Sequence, residues 1–180
     1  MPAAPDVLDL LLTLGDVDPS VWRLVRVSSG ATLARAQRVF CTCFGWSWGR
    51  PYAFEALHLR YPGRGREVEE EANAVRLRQL LPDVGSAIEF AYGGARGWDV
   101  RVLVVRRFPA SAGLVTPRCL EAEGIAPPLD AGGAIAWNER LQEAIEDPSY
   151  DFATRMADSG RATRPGAPLA AINAELAVLR

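Results

Sequence analysis

The sequence predicts an α+β fold, with a β-grasp-like mixed sheet, one central helix packed on it and additional C-terminal helices. Three observations predict this class. Residues 7–27 contain two β-like stretches separated by a turn signal. Residues 32–46, TLARAQRVFCTCFGW, place apolar side chains at helical spacing. Further β-like stretches follow, and amphipathic segments come after residue 134. A hairpin, a helix and then further strands is the order of a β-grasp-like core.

The first two stretches predict a β-hairpin. Residues 7–14 are a continuous apolar run that ends at Gly15-Asp16, and Pro19-Ser20 precedes the stretch VWRLVRV. In that second stretch, one set of alternate positions holds three valines and Arg23, and the other set holds Trp22, Leu24 and Arg26. This alternation has the period of a strand. The few residues between the two stretches fit a hairpin connection.

The central helix is marked from its beginning to its end. Thr32 is placed to cap its start, and Gly45 is placed to end it in the left-handed conformation. The spacing of three and four residues predicts one apolar stripe that packs on the sheet. The stripe consists of Leu33, Ala36, Phe40 and Phe44.

The middle of the chain alternates between strands and turns. Residues 52–61 are expected to form a third strand, and residues 87–92 and 100–108 two more, joined by a glycine-rich turn. The charge run at residues 64–71 is typical of a solvated loop. Residues 75–81 predict a short helix that Pro82 stops.

The C-terminal part is predicted to be irregular first and helical later. Residues 109–133 carry Pro-Pro and Gly-Gly pairs and are expected to be extended and irregular. Residues 135–145 form an amphipathic pattern, and residues 150–158 have the composition of a short helix. A flexible linker near residues 159–167 precedes a final helix over residues 168–179.

The composition is that of a globular domain. The 180 residues suffice for one well-buried core, and 49% apolar with 23% charged residues is ordinary. No stretch approaches the roughly 18 consecutive apolar residues of a membrane span. The start, MPAAPDV, lacks the basic and apolar regions of a signal peptide. We expect one domain over residues 1–180, in a cytoplasmic protein without membrane contact.

The cysteines and the single histidine give little support to a metal or catalytic site. The chain has an odd number of cysteines, and their spacing is not that of metal ligands. They are Cys41, Cys43 and Cys119. His58 is expected on a strand, and the sequence places no nucleophile or orienting acid beside it. A pairing of His58 with Cys43 or Cys119 stays open. We expect no bound metal, no cofactor and cysteines that pack as small core residues.

The charges are unevenly distributed although the net charge is only −2. Residues 19–66 hold eight arginines and one acid, a net charge of +7, whereas residues 117–158 hold three arginines and nine acids, a net charge of −6. Either the two regions face each other or are solvated, or an arginine face meets an anionic partner. Lysine is absent, which indicates a base-composition bias and weakens any argument from arginine number.

Several short motifs, in order along nearly the whole chain, resemble one family. It is that of the plasmid open-reading-frame-three-like proteins, also described as insertion-element passenger (TnpR-like) proteins. The resemblance implies an α+β fold and an association with mobile elements, without a defined molecular activity. The motifs are PSVWR from Pro19, Phe44-Gly45-Trp46, Phe90 with Tyr92, Pro127-Pro128 with Asp130 and Gly132-Gly133, Asp147-Pro148, and Ala171-Ile172-Asn173 with Leu176.

The chain departs from the family where polar residues would serve chemistry. The family's helix histidine is replaced near Ala36 or Gln37, and a later one near Arg50 or Pro51. The acidic turn of the family corresponds to residues 93–98, with Asp99 displaced and no histidine. If the family's histidines and carboxylates form a site, this chain has lost most of it.

Two groups of side chains remain candidates for binding. Asp99 and Asp130 lie beside glycine-rich turns and can bind a cation or do acid/base work if they meet, although an Asp there more often accepts local backbone N–H groups. The tryptophans can form the floor of a groove for a peptide or bases, or they can be core residues. The binding candidates are Trp22, Arg23, Trp46, Trp48, Tyr92, Trp98, Asp99 and Asp130.

These observations predict a non-catalytic binding or accessory domain, for an unidentified protein or small-molecule ligand. A first alternative is a degenerate metal-dependent enzyme that uses Asp99 and Asp130. A second is a sequence-tolerant nucleic-acid-binding protein of mobile DNA. It would use an arginine face made of Arg23, Arg35, Arg38 and Arg60.

Overall fold

The computed structural model describes residues 6–63, 72–146 and 169–180, and it confirms the α+β class. Seven strands form one sheet in the order β4-β3-β5-β6-β1-β2-β7. The strands are β1 Val7–Leu14, β2 Trp22–Ser28, β3 Tyr52–Ala56, β4 Leu59–Gly63, β5 Ala87–Tyr92, β6 Trp98–Phe108 and β7 Arg118–Glu123.

The sheet differs from the expected β-grasp-like mixed arrangement in the direction of its strands. All six pairings between the described strands are antiparallel. The central strand β1 lies between β2, to which a short connection joins it, and β6, which returns after the tight turn that follows β5. Because each of these connections reverses the chain, the sheet contains no parallel pair among the described strands.

The helix α1, Leu33–Phe44, confirms the predicted central helix. The Thr32 hydroxyl accepts a hydrogen bond from the Arg35 N–H at 3.2 Å, and Gly45 has a left-handed φ of 71°. Phe40 packs edge-on against Phe54 of β3 and Phe90 of β5, with ring centroids 6.1 and 5.6 Å apart. The apolar stripe therefore packs on the sheet as expected.

The expected single strand over residues 52–61 is instead the hairpin β3–β4. Leu57 and His58 form its turn with φ values of 50° and 67°, a left-handed conformation that two-residue hairpin turns require. Glycine or asparagine normally takes these positions, so leucine and histidine here did not indicate a turn. His58 therefore lies on an exposed turn and not on a strand.

The C-terminal third holds one strand that the sequence did not predict, β7, inside the stretch expected to be irregular. The other helices lie close to their predicted places: α2 Leu77–Leu80, α3 Ala134–Glu146 and α4 Leu169–Leu176, the last followed by a 3-10 turn, Ala177–Leu179. The predicted loop at 64–71, helix at 150–158 and linker at 159–167 lie outside the described residues. No helix within the described ranges has the length and apolar character needed to cross a membrane.

The outer edge of β7 is closed by a side chain. The Asn173 amide on α4 accepts a hydrogen bond from the Cys119 N–H and donates one to the Cys119 carbonyl, both at 2.9 Å. Asn173 thus satisfies the two backbone groups that a neighbouring strand would otherwise bind. This pair of hydrogen bonds, the Asn173 clamp, fixes α4 against the sheet edge.

Candidate functional site

An open groove with a volume of about 900 Å³ lies beside the N-terminal half of α1. Its walls come from the end of β2, from α1, from the segment that leads into α2, and from the C-terminal turn. Five arginines line it, and none of the described residues that line it is acidic. These arginines, called the groove arginines below, are Arg35, Arg38, Arg76, Arg78 and Arg180.

Backbone hydrogen bonds bring the two central walls together. The Leu33 N–H donates to the Val75 carbonyl at 3.0 Å, and the Leu77 N–H donates to the Ala31 carbonyl at 2.9 Å. Residues 75–78 therefore run alongside residues 29–33, at the start of α1. This pairing places the arginines of the α2 segment opposite those of α1.

Two of the five guanidinium groups in the groove donate hydrogen bonds to carbonyl oxygens. Arg76 Nη1 donates to the Gly30 carbonyl at 2.6 Å, and Arg35 donates to the Leu179 carbonyl. None of the groove arginines forms an ion pair with a described carboxylate. The first turn of α1, where the helix dipole is positive, also lacks an acidic residue. The groove is therefore a concentration of arginine side chains without a described side-chain carboxylate among its lining residues.

An exposed aromatic ring lies next to this groove. Trp48 is 47% exposed, and the guanidinium carbon of Arg38 lies 5.8 Å from the centre of its ring. The ring is oriented by a hydrogen bond of 3.3 Å from Trp48 Nε1 to the Thr42 hydroxyl of α1. Arg38 thus contacts the ring and lines the groove.

Three other predicted binding residues, Trp46, Tyr92 and Trp98, are buried together. Trp46 stacks on Tyr92 and on Trp98, with centroids 5.9 and 6.2 Å apart, and its Nε1 donates to the Pro127 carbonyl at 2.8 Å. Burial raises the pKa of Tyr92 to about 12. None of the three lines the groove, and neither does Trp22, which is partly buried on β2.

The candidate polar residues Asp99, Asp130 and His58 also lie outside the groove. Asp99 and Asp130 are exposed and do not line the groove, while His58 borders a second, shallower cavity of about 550 Å³ with Glu55 and Glu89. Neither aspartate borders that second cavity. In the described part of the chain, no three His, Cys, Asp or Glu residues group in a way that could hold a metal ion.

Arg23 is part of the protein interior. Its side chain is only 2% exposed and lies 5.3 Å above the ring of Phe44. Desolvation by burial lowers its pKa. Its guanidinium donates four hydrogen bonds of 2.7–3.2 Å, to the carbonyls of Trp22, Cys43, Glu123 and Gly124.

Arg60 does not line the groove and lies on the edge strand β4, where it pairs with Glu55 at 3.4 Å. Only Arg35 and Arg38 of the four predicted arginines therefore share one surface. Arg76, Arg78 and Arg180 were missed because a long-range pairing and the C-terminal turn bring them there.

The three cysteines are buried and free, as core residues would be. Burial raises the pKa of Cys41 to about 12. A hydrogen bond to Cys119, together with burial, raises the pKa of Cys43, and the same bond lowers the pKa of Cys119. His58 lies on the exposed turn at the tip of the β3–β4 hairpin, apart from this buried cysteine cluster.

Comparison with known proteins identifies the family. The family model described as plasmid pRiA4b ORF-3-like protein matches residues 6–161, which is most of the chain. The chain belongs to this family. The ORF-3-like chain is 33% identical over 152 residues to the uncharacterized protein y4hQ of Sinorhizobium fredii, covering 81% of this chain and 76% of that protein.

A solved structure shares the fold of this ORF-3-like protein. It is the crystal structure of MM3350, a protein of unknown function from Methanosarcina mazei Go1. The TM-score is 0.68 at 19% sequence identity, over 83% of this chain and 86% of that one. Neither the family description nor the names of these relatives indicate a catalytic function.

Proposed function

We propose that this ORF-3-like protein is a non-catalytic binding domain that holds an anionic ligand in the arginine groove. The observation that carries the proposal is that five arginines and no described acid line one groove. The like charges of these side chains repel one another, and none of them forms an ion pair with a described carboxylate. A bound anion would reduce this repulsion, so anion binding in the groove would be electrostatically favourable.

Guanidinium groups suit phosphate and carboxylate ligands in particular. A guanidinium presents its donors in a planar fork that matches two oxygens at once, and it remains charged at any physiological pH. Arg35 and Arg76 each use only part of this fork on a carbonyl. Arg78 makes no side-chain hydrogen bond or ion pair with a described residue. Most of the donors in the groove therefore remain available to a ligand.

The chemistry of the groove favours binding over catalysis. Its described lining contains no histidine, cysteine or side-chain carboxylate that would act as a general base or nucleophile. The hydroxyl groups of Ser28 and Thr32 have no neighbouring base to activate them, and the Thr32 hydroxyl caps α1. This supports a domain that recognises a ligand without transforming it.

The finer assignment to insertion-element passenger proteins of the TnpR type, with a role beside mobile DNA in the cytoplasm, is part of the same proposal. It is supported by the ordered motifs of the sequence, from Pro19-Ser20 to Ala171-Ile172-Asn173. An anion-binding groove is compatible with such a role.

A binding titration with inorganic polyphosphate at low salt tests the proposed function. The variant R35Q/R38Q/R78Q removes three groove charges, and R60Q/R96Q/R140Q removes three exposed arginines elsewhere. Both variants have the same net charge, so the pair separates a local site from general attraction. We expect about a 10- to 100-fold loss in the groove variant and less than 2-fold in the control. Equal losses, or no binding below millimolar concentration, would overturn the proposal.

A further inference from the structure

Trp48 is an unusual residue to expose beside a charged groove. Its neighbours Phe44 and Trp46 are buried, whereas nearly half of the Trp48 surface faces solvent. The ring is nevertheless held in one orientation, because its Nε1 donates to the Thr42 hydroxyl and that hydroxyl donates to the Arg38 carbonyl at 2.8 Å. An exposed ring whose orientation is already fixed loses little side-chain freedom when it stacks on a ligand.

The ring and the groove are continuous along one side of α1. Arg35, Arg38 and Thr42 lie at intervals of three and four residues, so they form one row of about 10 Å on the helix surface. Arg35 and Arg38 line the groove, and Thr42 and Arg38 support the ring. A ligand lying along this row meets positive charge at one end and an aromatic face at the other.

We propose that the ligand is a single-stranded nucleic acid, whose phosphates lie on the groove arginines while an unpaired base stacks on Trp48. This inference rests on the proposed function, since the phosphates occupy the same groove. Alternating phosphates and bases supply both features that the surface offers, charge and a flat apolar face. A duplex keeps its bases stacked on one another and offers only phosphates. A polyphosphate likewise has no flat apolar group to stack on Trp48.

The inference is tested by fluorescence anisotropy with a labelled 12-residue oligothymidylate, the matching duplex, and inorganic polyphosphate as a competitor. We expect the single strand to bind more tightly than the duplex. Its affinity should fall with salt, with a log–log slope of about −0.7 for each phosphate neutralised. Loss of one stacked base in W48A should weaken binding of the single strand by about 5- to 100-fold.

Three variants make the result specific to the ring. W48F keeps an aromatic face and should retain most of the affinity, while L57A removes an exposed apolar side chain on the distant hairpin and should change nothing. W48A should bind polyphosphate within 2-fold of the unmodified protein. Thermal unfolding of each variant confirms that it is folded.

The outcomes separate the two proposals. If polyphosphate binds through the groove arginines but the duplex binds as well as the single strand, or W48A binds the single strand normally, the inference is wrong and the proposed function stands. If neither polyphosphate nor the oligonucleotide binds, the proposed function is wrong as well.

Discussion

Arginines occupy two contrasting environments in this molecule. Arg23 is buried and its guanidinium is satisfied by four backbone carbonyls, and Arg26 makes two hydrogen bonds of 2.7 and 2.9 Å to the buried Asp9 carboxylate. The groove arginines are exposed and have no described carboxylate partner. The difference teaches that the number of arginines in a sequence says little about a binding surface. The partners that each guanidinium already has in the fold decide its role.

The buried group also explains how three separate segments are held together. Arg23 on β2 reaches the carbonyl of Cys43 at the C-terminal end of α1, where the helix dipole favours a positive charge. It also reaches Glu123 and Gly124 at the end of β7. The side chain therefore ties the central helix to a strand edge, and binding an external ligand is not available to it.

Replacing Arg23 with methionine tests this role with the largest expected effect. Methionine fills similar space but removes the donor from the buried Cys43 carbonyl and from the part-buried Glu123 carbonyl. We expect the free energy of unfolding, measured by urea denaturation, to fall by about 3–5 kcal/mol. A loss below about 1 kcal/mol would mean that Arg23 contributes no more to stability than the exposed groove arginines do.

A second substitution, Asp9→Asn, addresses the other paired arginine. The Asp9 carboxylate is fully buried and also forms an ion pair with Arg106 at 2.9 Å, so two guanidinium groups share it. Because Arg26 and Arg106 are partly exposed and can be rehydrated, we expect a smaller loss, about 2–3 kcal/mol in the same assay. Arg107→Gln, at the half-exposed pair with Asp6, is the matched control and should cost less than 1 kcal/mol.

Burial in the protein interior also changes the pKa of Cys41. Burial raises the pKa of this thiol from an ordinary value near 9 to about 12. Between those values the unfolded chain has lost the proton and the folded protein keeps it, so stability decreases as pH rises. One such group contributes about 1.4 kcal/mol per pH unit. The raised pKa values of Cys43 and Tyr92 act in the same direction, so urea denaturation at several pH values above 9 should show a slope of at least this size. The slope of Cys41→Ala should be smaller by about 1.4 kcal/mol per pH unit.

The smallest stability effect is expected in the groove. Arg78 is exposed and its side chain makes no hydrogen bond with a described residue, so Arg78→Gln should change the free energy of unfolding by less than about 0.5 kcal/mol. The same substitution should nevertheless weaken polyphosphate binding. A large loss of stability here would erase the contrast between the two sets of arginines.

Local signals in the sequence were enough to predict the helix α1 and the hairpin β1–β2. Thr32, the stripe through Phe40 and Gly45 all act within one turn or a few turns of the chain. The hairpin β3–β4 and strand β7 were missed for a physical reason. The turn of the β3–β4 hairpin is formed by Leu57 and His58 and contains no glycine. Strand β7 depends on pairing with β2, about 95 residues earlier in the chain.

The candidate site was only partly predictable for the same reason. Arg35 and Arg38 lie on a helix face that the sequence defined, but Arg76 and Arg78 reach the groove through backbone pairing with residues 29–33. The interior position of Arg23 did carry a signal. It shares the alternation of Val21, Val25 and Val27, the side of β2 that faces the core.

The Asn173 clamp has a consequence for self-assembly. It occupies the outward backbone groups of Cys119 on β7, whereas β4, at the opposite end of the sheet, has only β3 as a partner among the described strands. Continuous growth of a sheet from copy to copy needs two open edges on every copy. Because the clamp occupies the outward groups of Cys119, a strand of a second copy cannot form backbone hydrogen bonds with β7 at this residue.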